Sequence, residues 1–422
     1  MTAEEAIGLI QNGMRVVIAP GCGEPRFLIN ELARQHKRFN RLEVVGGFLC
    51  GDMPLVAPGM EKHFHYITWH VTKATRKAIA EGFASYVPLR YSEVVPALSP
   101  GGALCADVLL CVVSATDSSG FVSLGPSVSF TKPLSEITPL IIAERNPNVP
   151  WTLGESILER HLINSIVFSD EPLLEYPNGF ITQVERSIAR FVAELIPDGA
   201  TLQIGIGAVP ETVLDVLHQH RDLAIHSIVT DGMIELIERG VINARMKKIN
   251  PGRCDICEVM GSQKLLKFVD HHPLIYMQPA TYTHNPRLIA EIDNFVSINS
   301  ALQIDLTGAI NSETLGGEVV AAVGGQFDFV LGSQLSKGGR SIFAFPSTTG
   351  KDHLQSRIVP CLPQGNSVSV PRHLVQYVVT EYGIAELKNK TLEHRAEALI
   401  KIAHPKFRDE LKSAFRKMRK NF

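Results

Sequence analysis

Two glycines, Gly205 and Gly207, stand between the apolar run Ala200-Thr201-Leu202-Gln203-Ile204 and a helix-like segment that opens at Glu211. Glycine at such a turn lets backbone N–H groups approach a ligand closely. A helix start adds a field that favours negative charge, so Gly205, Ile206, Gly207, Ala208 and Val209 offer a cradle for a phosphate or an oxyanion. A dinucleotide fingerprint would place a third glycine where Pro210 stands, with an acid about twenty residues on. The nearest acids are Asp222 and Asp231, so a nicotinamide dehydrogenase is excluded. An ordinary strand-to-helix turn uses glycine in the same way, and one such turn does not separate the two readings.

A second glycine-rich stretch changes the balance. Gly316-Gly317 and Val323-Gly324-Gly325-Gln326 lead into Ser336-Lys337-Gly338-Gly339-Arg340 and Pro346-Ser347-Thr348-Thr349-Gly350-Lys351. Small and polar residues at this density between apolar runs read as loops facing a ligand, with Gly324 and Gly325 as close-approach points. Lys351 and Arg357 carry charge suited to phosphate, or equally to open solvent. The segment His226-Ser227-Ile228-Val229-Thr230-Asp231-Gly232 holds a candidate base, His226, and a candidate nucleophile, Ser227, which would need a base and an orienting acid. Asp231-Gly232 reads more simply as the cap of a helix over Met233–Glu238. Cys254-x-x-Cys257 lacks a second pair, and His271 and His272 stand at no standard ligand spacing, so no metal is expected.

The elements that must position these groups alternate along the chain. Thr2, with Glu4 and Glu5 behind it, starts a short helix over residues 2–12. Arg15-Val16-Val17-Ile18-Ala19 is a strand, Pro20-Gly21-Cys22-Gly23-Glu24-Pro25 a turn, and Phe27–Leu32 a helix. Further apolar runs at Leu42–Val45, Val108–Val113 and Leu140–Ala143 alternate with helical segments such as Thr72–Glu81. The second half repeats the order of strand, glycine turn, proline and helix. Later strands are expected at Phe343–Phe345 and His373–Thr380, then mostly helix over Ala385–Leu411, interrupted by Pro405. The pattern predicts two related α/β domains, 1–190 and 191–422, joined through a helix over Gln183–Ile196.

Composition agrees with a globular chain. The 422 residues exceed one ordinary core, and 45% hydrophobic with 20% charged residues excludes disorder. A net charge of −2 gives no reason to expect nucleic acid or a membrane surface as partner. No apolar stretch is long enough for a membrane helix, and the start Met-Thr-Ala-Glu-Glu is not a signal peptide. Seven cysteines without regular spacing suggest reduced thiols and a cytoplasmic setting. The basic run Phe415–Lys420 reads as a solvated helix end.

Several segments together resemble the acetyl-CoA hydrolase/transferase family. Gln203-Ile204-Gly205-Ile206-Gly207-Ala208-Val209-Pro210 looks like its coenzyme A loop, and Asp107–Val128 like its first-domain signature. Val259-Met260-Gly261-Ser262, Ile298-Asn299-Ser300-Ala301-Leu302, Gly324–Phe329, Pro346-Ser347-Thr348, Ser356–Pro360 and Thr380–Ala385 follow in the family's order. The resemblance implies two similar α/β domains of the class I CoA-transferase type and acyl-CoA chemistry. The partners implied are an acyl-CoA and a small carboxylate or water. Coenzyme A enters as a substrate, no covalently bound cofactor is expected, and a homo-oligomer is expected.

At one point the chain departs from the family. CoA-transferases of this kind attack the thioester with a glutamate in a segment resembling His-Thr-Glu-Met-x-Ser-Asp-Gly. Here the matching segment, His226–Gly232, is one residue shorter and has no glutamate; downstream, Gln303 stands where the family often has Glu. Three readings stay open. A carboxylate from elsewhere, Glu258 or Glu24, reaches the site and CoA transfer is retained. Alternatively the chain is a hydrolase or a direct acyl-transfer enzyme, served by His226, Ser227 or Asp231. The third is a non-catalytic acyl-CoA-binding protein. The Gly21–Pro25 and Ser118–Gly125 segments, at expected strand ends, are the candidate walls of an acyl pocket.

Overall fold

The computed structural model describes residues 1–177, 179, 181–350 and 355–419. The expected α/β alternation is present, with parallel strands and helices between them. Thr2 caps the first helix, Ala3–Gly8, through a reciprocal box. Its hydroxyl accepts from Glu5 N at 3.1 Å, and the Glu5 carboxylate accepts from Thr2 N at 2.9 Å.

The chain forms two compact units, each assembled from separate stretches. The first comprises Met1–Pro177, Ser227–Ile234 and Arg253–Asn285, the second Asn178–His226, Glu235–Gly252 and Pro286–Phe422. A cut at 190/191 treats each domain as continuous, whereas residues 253–285 rejoin the first unit after the second has begun. Single-pass periodicity reports local elements and cannot show such a return.

In the first unit a parallel sheet runs Ser165–Phe168, Leu140–Arg145, Val108–Val113, Arg15–Ile18, Leu42–Gly46, Phe64–Thr68 and Ala84–Tyr86. Val108–Val113 is buried on both faces, as an inner parallel strand requires. Val16, Ile18, Val44 and Leu110 pack with Ile7, Leu28, Ile29 and Leu32 into the core on one side. The same unit contains a parallel set of Cys254–Val259, Ile275–Met277 and Leu153–Gly154. Cys254 and Cys257 lie three apart on a buried strand, so their side chains leave opposite faces.

In the second unit, Tyr377–Thr380, Arg340–Ala344, Phe295–Asn299 and Thr201–Ile204 lie parallel, with the start of Ala224–Val229 beyond Thr201–Ile204 and an antiparallel edge, Gly383–Glu386. Phe343, Phe345, Val378, Leu399 and Ile402 form part of its core. The expected break at Pro405 is present: one helix, Leu392–Ile402, ends just before it, and Pro405 begins the last, Pro405–Met418, where its fixed φ and missing N–H suit a first helical position. The strand expected from His373 opens only at Tyr377, because Arg372–Leu374 winds into a single 3₁₀ turn. Among the described residues, no helix is long and apolar enough to cross a membrane.

Candidate functional site

Glu258 is the penultimate residue of the strand Cys254–Val259, near its carboxyl end, where parallel sheets present ligand-facing groups. The segment 126–129 lies antiparallel alongside. Val259 N donates to Pro126 O at 2.8 Å, Val128 N to Cys257 O at 3.1 Å and Ser129 N to Cys257 O at 3.3 Å. Ser127 and Glu258 are direct bridge partners. Ser127 thus stands directly opposite Glu258, and the turn that follows brings the Ser129 hydroxyl to the same carboxyl group.

The carboxyl group is nearly sealed, with 7% of the residue exposed. Oε1 accepts from the Ser129 hydroxyl at 2.5 Å, and Ser129 in turn accepts from the Tyr91 hydroxyl at 3.1 Å. Oε2 has no hydrogen-bond partner among the described residues, nor has the Ser127 hydroxyl. A Cβ placed on Gly21 would stand 3.5 Å from Oε2 and 3.0 Å from Met260 Sδ, so the Pro20–Glu24 turn brings bare backbone up to this oxygen. Gly21 has φ +64, a left-handed conformation that glycine adopts without strain. At Gly23 an added Cβ would meet Ser127 Cβ at 2.5 Å, so the turn approaches as closely as it does only because both residues are glycine.

Burial raises the Glu258 carboxyl to about 8. The Ser129 hydroxyl offsets part of that rise, the nearby Ser127 hydroxyl offsets a little more, and the Cys22 thiol adds to it. Glu24 is also raised, to about 7, again by burial. Its situation differs, however, because its oxygens are already engaged. It accepts from Cys50 N, from Gly51 N at 3.3 Å and from Arg26 Nη1 at 3.4 Å, and so anchors the loop after Leu42–Gly46.

The other candidates are placed as follows. His226 is fully buried in the second unit, edge-on to Phe295 at 5.4 Å and Phe329 at 6.4 Å between ring centroids. Ser227 is buried in the first unit with φ +87, an uncommon conformation for a residue with a side chain. Cys257 Sγ donates to its carbonyl at 3.1 Å. Asp231 accepts with its backbone carbonyl from Ile234 N, while its carboxylate turns to Ser262, accepting from the backbone N at 2.8 Å and the hydroxyl at 2.5 Å. It thus joins two segments 31 residues apart, a contact that local spacing does not reveal.

In the second unit, Gly207 has φ +125 and precedes the helix Ala208–Leu214, with open space around the position a Cβ would take. Gly205 approaches Ile298 O, and Gly324, at φ +52, leads through Gly325 into the helix Gln326–Leu335. Lys351 lies outside the described residues. The Arg357 guanidinium donates to Ala301 O at 3.4 Å, and partial burial lowers its affinity for the proton. In the first unit Ser123 is tied to Ser114 and Thr152, and Gly125 packs on Val149. The sequence reading missed Tyr91, Ser127 and Ser129 as site residues. Ser-x-Ser beside a glycine-proline turn is a common pattern, and only the strand register gives it meaning.

Residues 1–175 match the N-terminal and residues 261–415 the C-terminal domain model of acetyl-CoA hydrolase/transferase. The 4-hydroxybutyrate coenzyme A transferase of Clostridium kluyveri is 44% identical over 99% of this chain and 97% of its own length. A solved structure of 4-hydroxybutyrate CoA-transferase from Porphyromonas gingivalis superposes with a TM-score of 0.85 at 35% identity, covering 99% of this chain and 97% of that one. RipA from Yersinia pestis superposes with a TM-score of 0.93 at 34% identity over the same shares.

Proposed function

The chain belongs to the acetyl-CoA hydrolase/transferase family, and on that premise we propose that it moves coenzyme A between an acyl-CoA and a carboxylate with Glu258 as the nucleophile. The carrying observation is Oε2 of Glu258, a sealed carboxylate oxygen with no hydrogen-bond partner among the described residues, facing the bare backbone of Gly21. Buried polar atoms are nearly always paired, so an orphan of this kind marks a place for a reacting group. Glu24 is the weaker choice, because its carboxylate already holds Cys50, Gly51 and Arg26.

In this reading Oε2 attacks the thioester carbonyl, the C–S bond breaks, and an acyl-glutamyl anhydride and coenzyme A thiolate result. The thiolate then attacks the Glu258 carboxyl carbon. The acyl group leaves as a carboxylate, and coenzyme A is held as a glutamyl thioester. An acceptor carboxylate reverses both steps and carries the coenzyme A away. The Ser127 hydroxyl, on the residue opposite Glu258, is the donor we assign to charge that develops on the thioester oxygen. In the second unit, the Gly205–Val209 turn and Gly324-Gly325 are the segments we assign to coenzyme A, supported by the open space at Gly207.

The test is exchange from acetyl-CoA to 4-hydroxybutyrate, followed with a thiol reagent and by intact mass. We expect exchange without free thiol and a coenzyme A adduct on Glu258 that borohydride traps. Glu258→Gln should lower exchange by roughly 10⁴-fold. An adduct on Glu24 or Ser227 would overturn the assignment. Thiol release without exchange would make the protein a hydrolase, and tight binding with neither would make it a binding protein.

A further inference from the structure

The other oxygen of Glu258 is as informative as the free one. Oε1 is not open to substrate, because the Ser129 hydroxyl holds it at 2.5 Å. Ser129 is fully buried and its backbone is fixed on both sides, its N–H on Cys257 O at 3.3 Å and its carbonyl accepting from Ala280 N at 2.7 Å. Its hydroxyl oxygen is itself the acceptor of the Tyr91 phenol at 3.1 Å. With its own proton given to Oε1, this hydroxyl has one orientation left. Tyr91 opens the helix Tyr91–Leu98, and its ring lies tilted on the His284 imidazole at 4.4 Å. A donor, a donor-acceptor and a carboxylate thus form a single directed line, Tyr91 to Ser129 to Glu258.

We propose that this line is part of the catalytic apparatus, with Ser129 a catalytic residue that carries the charge developing on Oε1 and Tyr91 a positioning residue that acts through it. The proposal rests on Glu258 being the nucleophile. When Oε2 has become acylated, Oε1 is the carbonyl oxygen of the anhydride. Attack by the coenzyme A thiolate on the Glu258 carboxyl carbon makes the new C–S bond and pushes an electron pair onto Oε1. That pair returns as the carboxylate leaves. A hydroxyl already aimed at Oε1 stabilises the charge without reorganising, which is how an oxyanion donor contributes. The proton stays on Ser129 throughout. Tyr91 polarises that hydroxyl and prevents it from turning away, and burial keeps its phenol protonated.

The geometry also fixes which oxygen reacts. One carboxylate oxygen is held by Ser129 and the other has no hydrogen-bond partner among the described residues, so attack is assigned to Oε2. The titratable groups that face the carboxyl are Cys22 of the Gly21 turn, Cys50 beyond it, Cys257 of its own strand and Tyr91, with His284 behind the phenol. A hydrogen bond that favours the charged form lowers a carboxyl pKa, so removing Ser129 should raise that of Glu258.

The experiment compares wild type, Ser129→Ala, Tyr91→Phe and the double variant, with Ser129→Thr as the conservative control. Ser129→Ala should slow formation of the glutamyl-CoA adduct about a hundredfold or more, with KM for acetyl-CoA little changed. It should also move the rising limb of the kcat/KM profile upward by about one pH unit or more. Tyr91→Phe keeps the ring on His284 and should cost about five- to tenfold, with a smaller shift in the same direction. In the Ser129→Ala background, Tyr91→Phe should cost nothing further, since its route to Glu258 has gone. Ser129→Thr should restore most of the rate.

Additive losses, or an unmoved pH limb in Tyr91→Phe, would overturn the relay and leave Tyr91 a packing residue. Wild-type adduct on Glu258, forming at the same rate in Ser129→Ala, would overturn the role of Ser129 while sparing the nucleophile. An adduct that maps elsewhere in wild type would remove the nucleophile itself, and the relay with it. Thermal melts of each variant separate these outcomes from a failure to fold.

Discussion

Two buried glutamates with raised pKa values differ in what their oxygens already do, and that difference assigns them different roles. Glu24 has committed its carboxylate to a loop, whereas Glu258 has one oxygen held and one, equally buried, without a hydrogen-bond partner among the described residues. Ser227 raises the same question in another form. Its φ of +87 is costly for a residue with a side chain, and strain of this kind gathers at functional places. Its backbone carbonyl is occupied by Cys257 Sγ at 3.1 Å, and its hydroxyl stands 3.6 Å from the same sulfur. Among the described residues, the partner on the hydroxyl side is this buried thiol and not a histidine or carboxylate base. Alanine bears the same backbone cost as serine at this φ, so Ser227→Ala isolates the hydroxyl. We expect CoA exchange within about threefold of wild type and a melting temperature within a few degrees. A loss of a hundredfold or more, read in the same exchange assay, would restore an acyl-serine route. None of this was legible from residue type. His, Ser, Asp and Glu were all visible as candidates, but partner and register, which distinguish them, come from contacts made by residues far apart in sequence.

Strand, glycine turn and helix were readable in both halves because apolar β-branched runs, glycines and prolines report backbone conformation locally. The turn at Gly21–Gly23 and the turn at Gly205–Gly207 are both present, yet their glycines meet different demands. Gly23 makes room for Ser127, while Gly207, at φ +125, has nothing within 4 Å of a would-be Cβ. Open space beside a positive φ leaves room for a ligand at Gly207, which the packed Gly23 turn lacks. Gly207→Val would put a branched side chain into that space and into a conformation it resists. We expect binding of free coenzyme A, measured calorimetrically, to weaken at least tenfold, with the melting temperature lowered by some degrees. Unchanged binding by a folded Gly207→Val protein would move the coenzyme A contact to another segment. Asp231 and Pro405 show how far local reading reaches. Asp231 begins the turn into Met233–Glu238 with its backbone carbonyl while its carboxylate holds Ser262, and Pro405 marks both the expected break and the start of a new helix.

At the scale of the molecule, the acids buried around the Gly21 turn impose a cost that depends on pH. Each is protonated in the folded chain at pH values where it would be ionised in the unfolded one. Glu258 moves from 4.5 to about 8 and Glu24 from 4.5 to about 7, both chiefly by burial. Between the unfolded and folded values the native state binds the extra proton, so stability falls as pH rises, by about 1.4 kcal/mol per pH unit for each group. The contribution is complete below pH 4.5 and has been lost once pH passes about 8 for Glu258. A chain whose compact units are assembled from discontinuous stretches offers many other titrating groups, so the sign is best read as a difference. Glu258→Gln keeps the shape and the acceptor at Oε1 but cannot ionise. Its melting temperature relative to wild type should therefore climb steadily from pH 5 to pH 8 and then level off. The same series for Glu24→Gln should level off nearer pH 7, offset downward by the loss of charge-assisted bonds to Arg26 and the loop. A constant gap between wild type and Glu258→Gln across this range would mean that Glu258 is ionised throughout in the folded protein. The pH limb expected for kcat/KM would then have to vanish as well, so one titration, read by melting and by rate, tests both the energetics of burial and the readiness of the nucleophile.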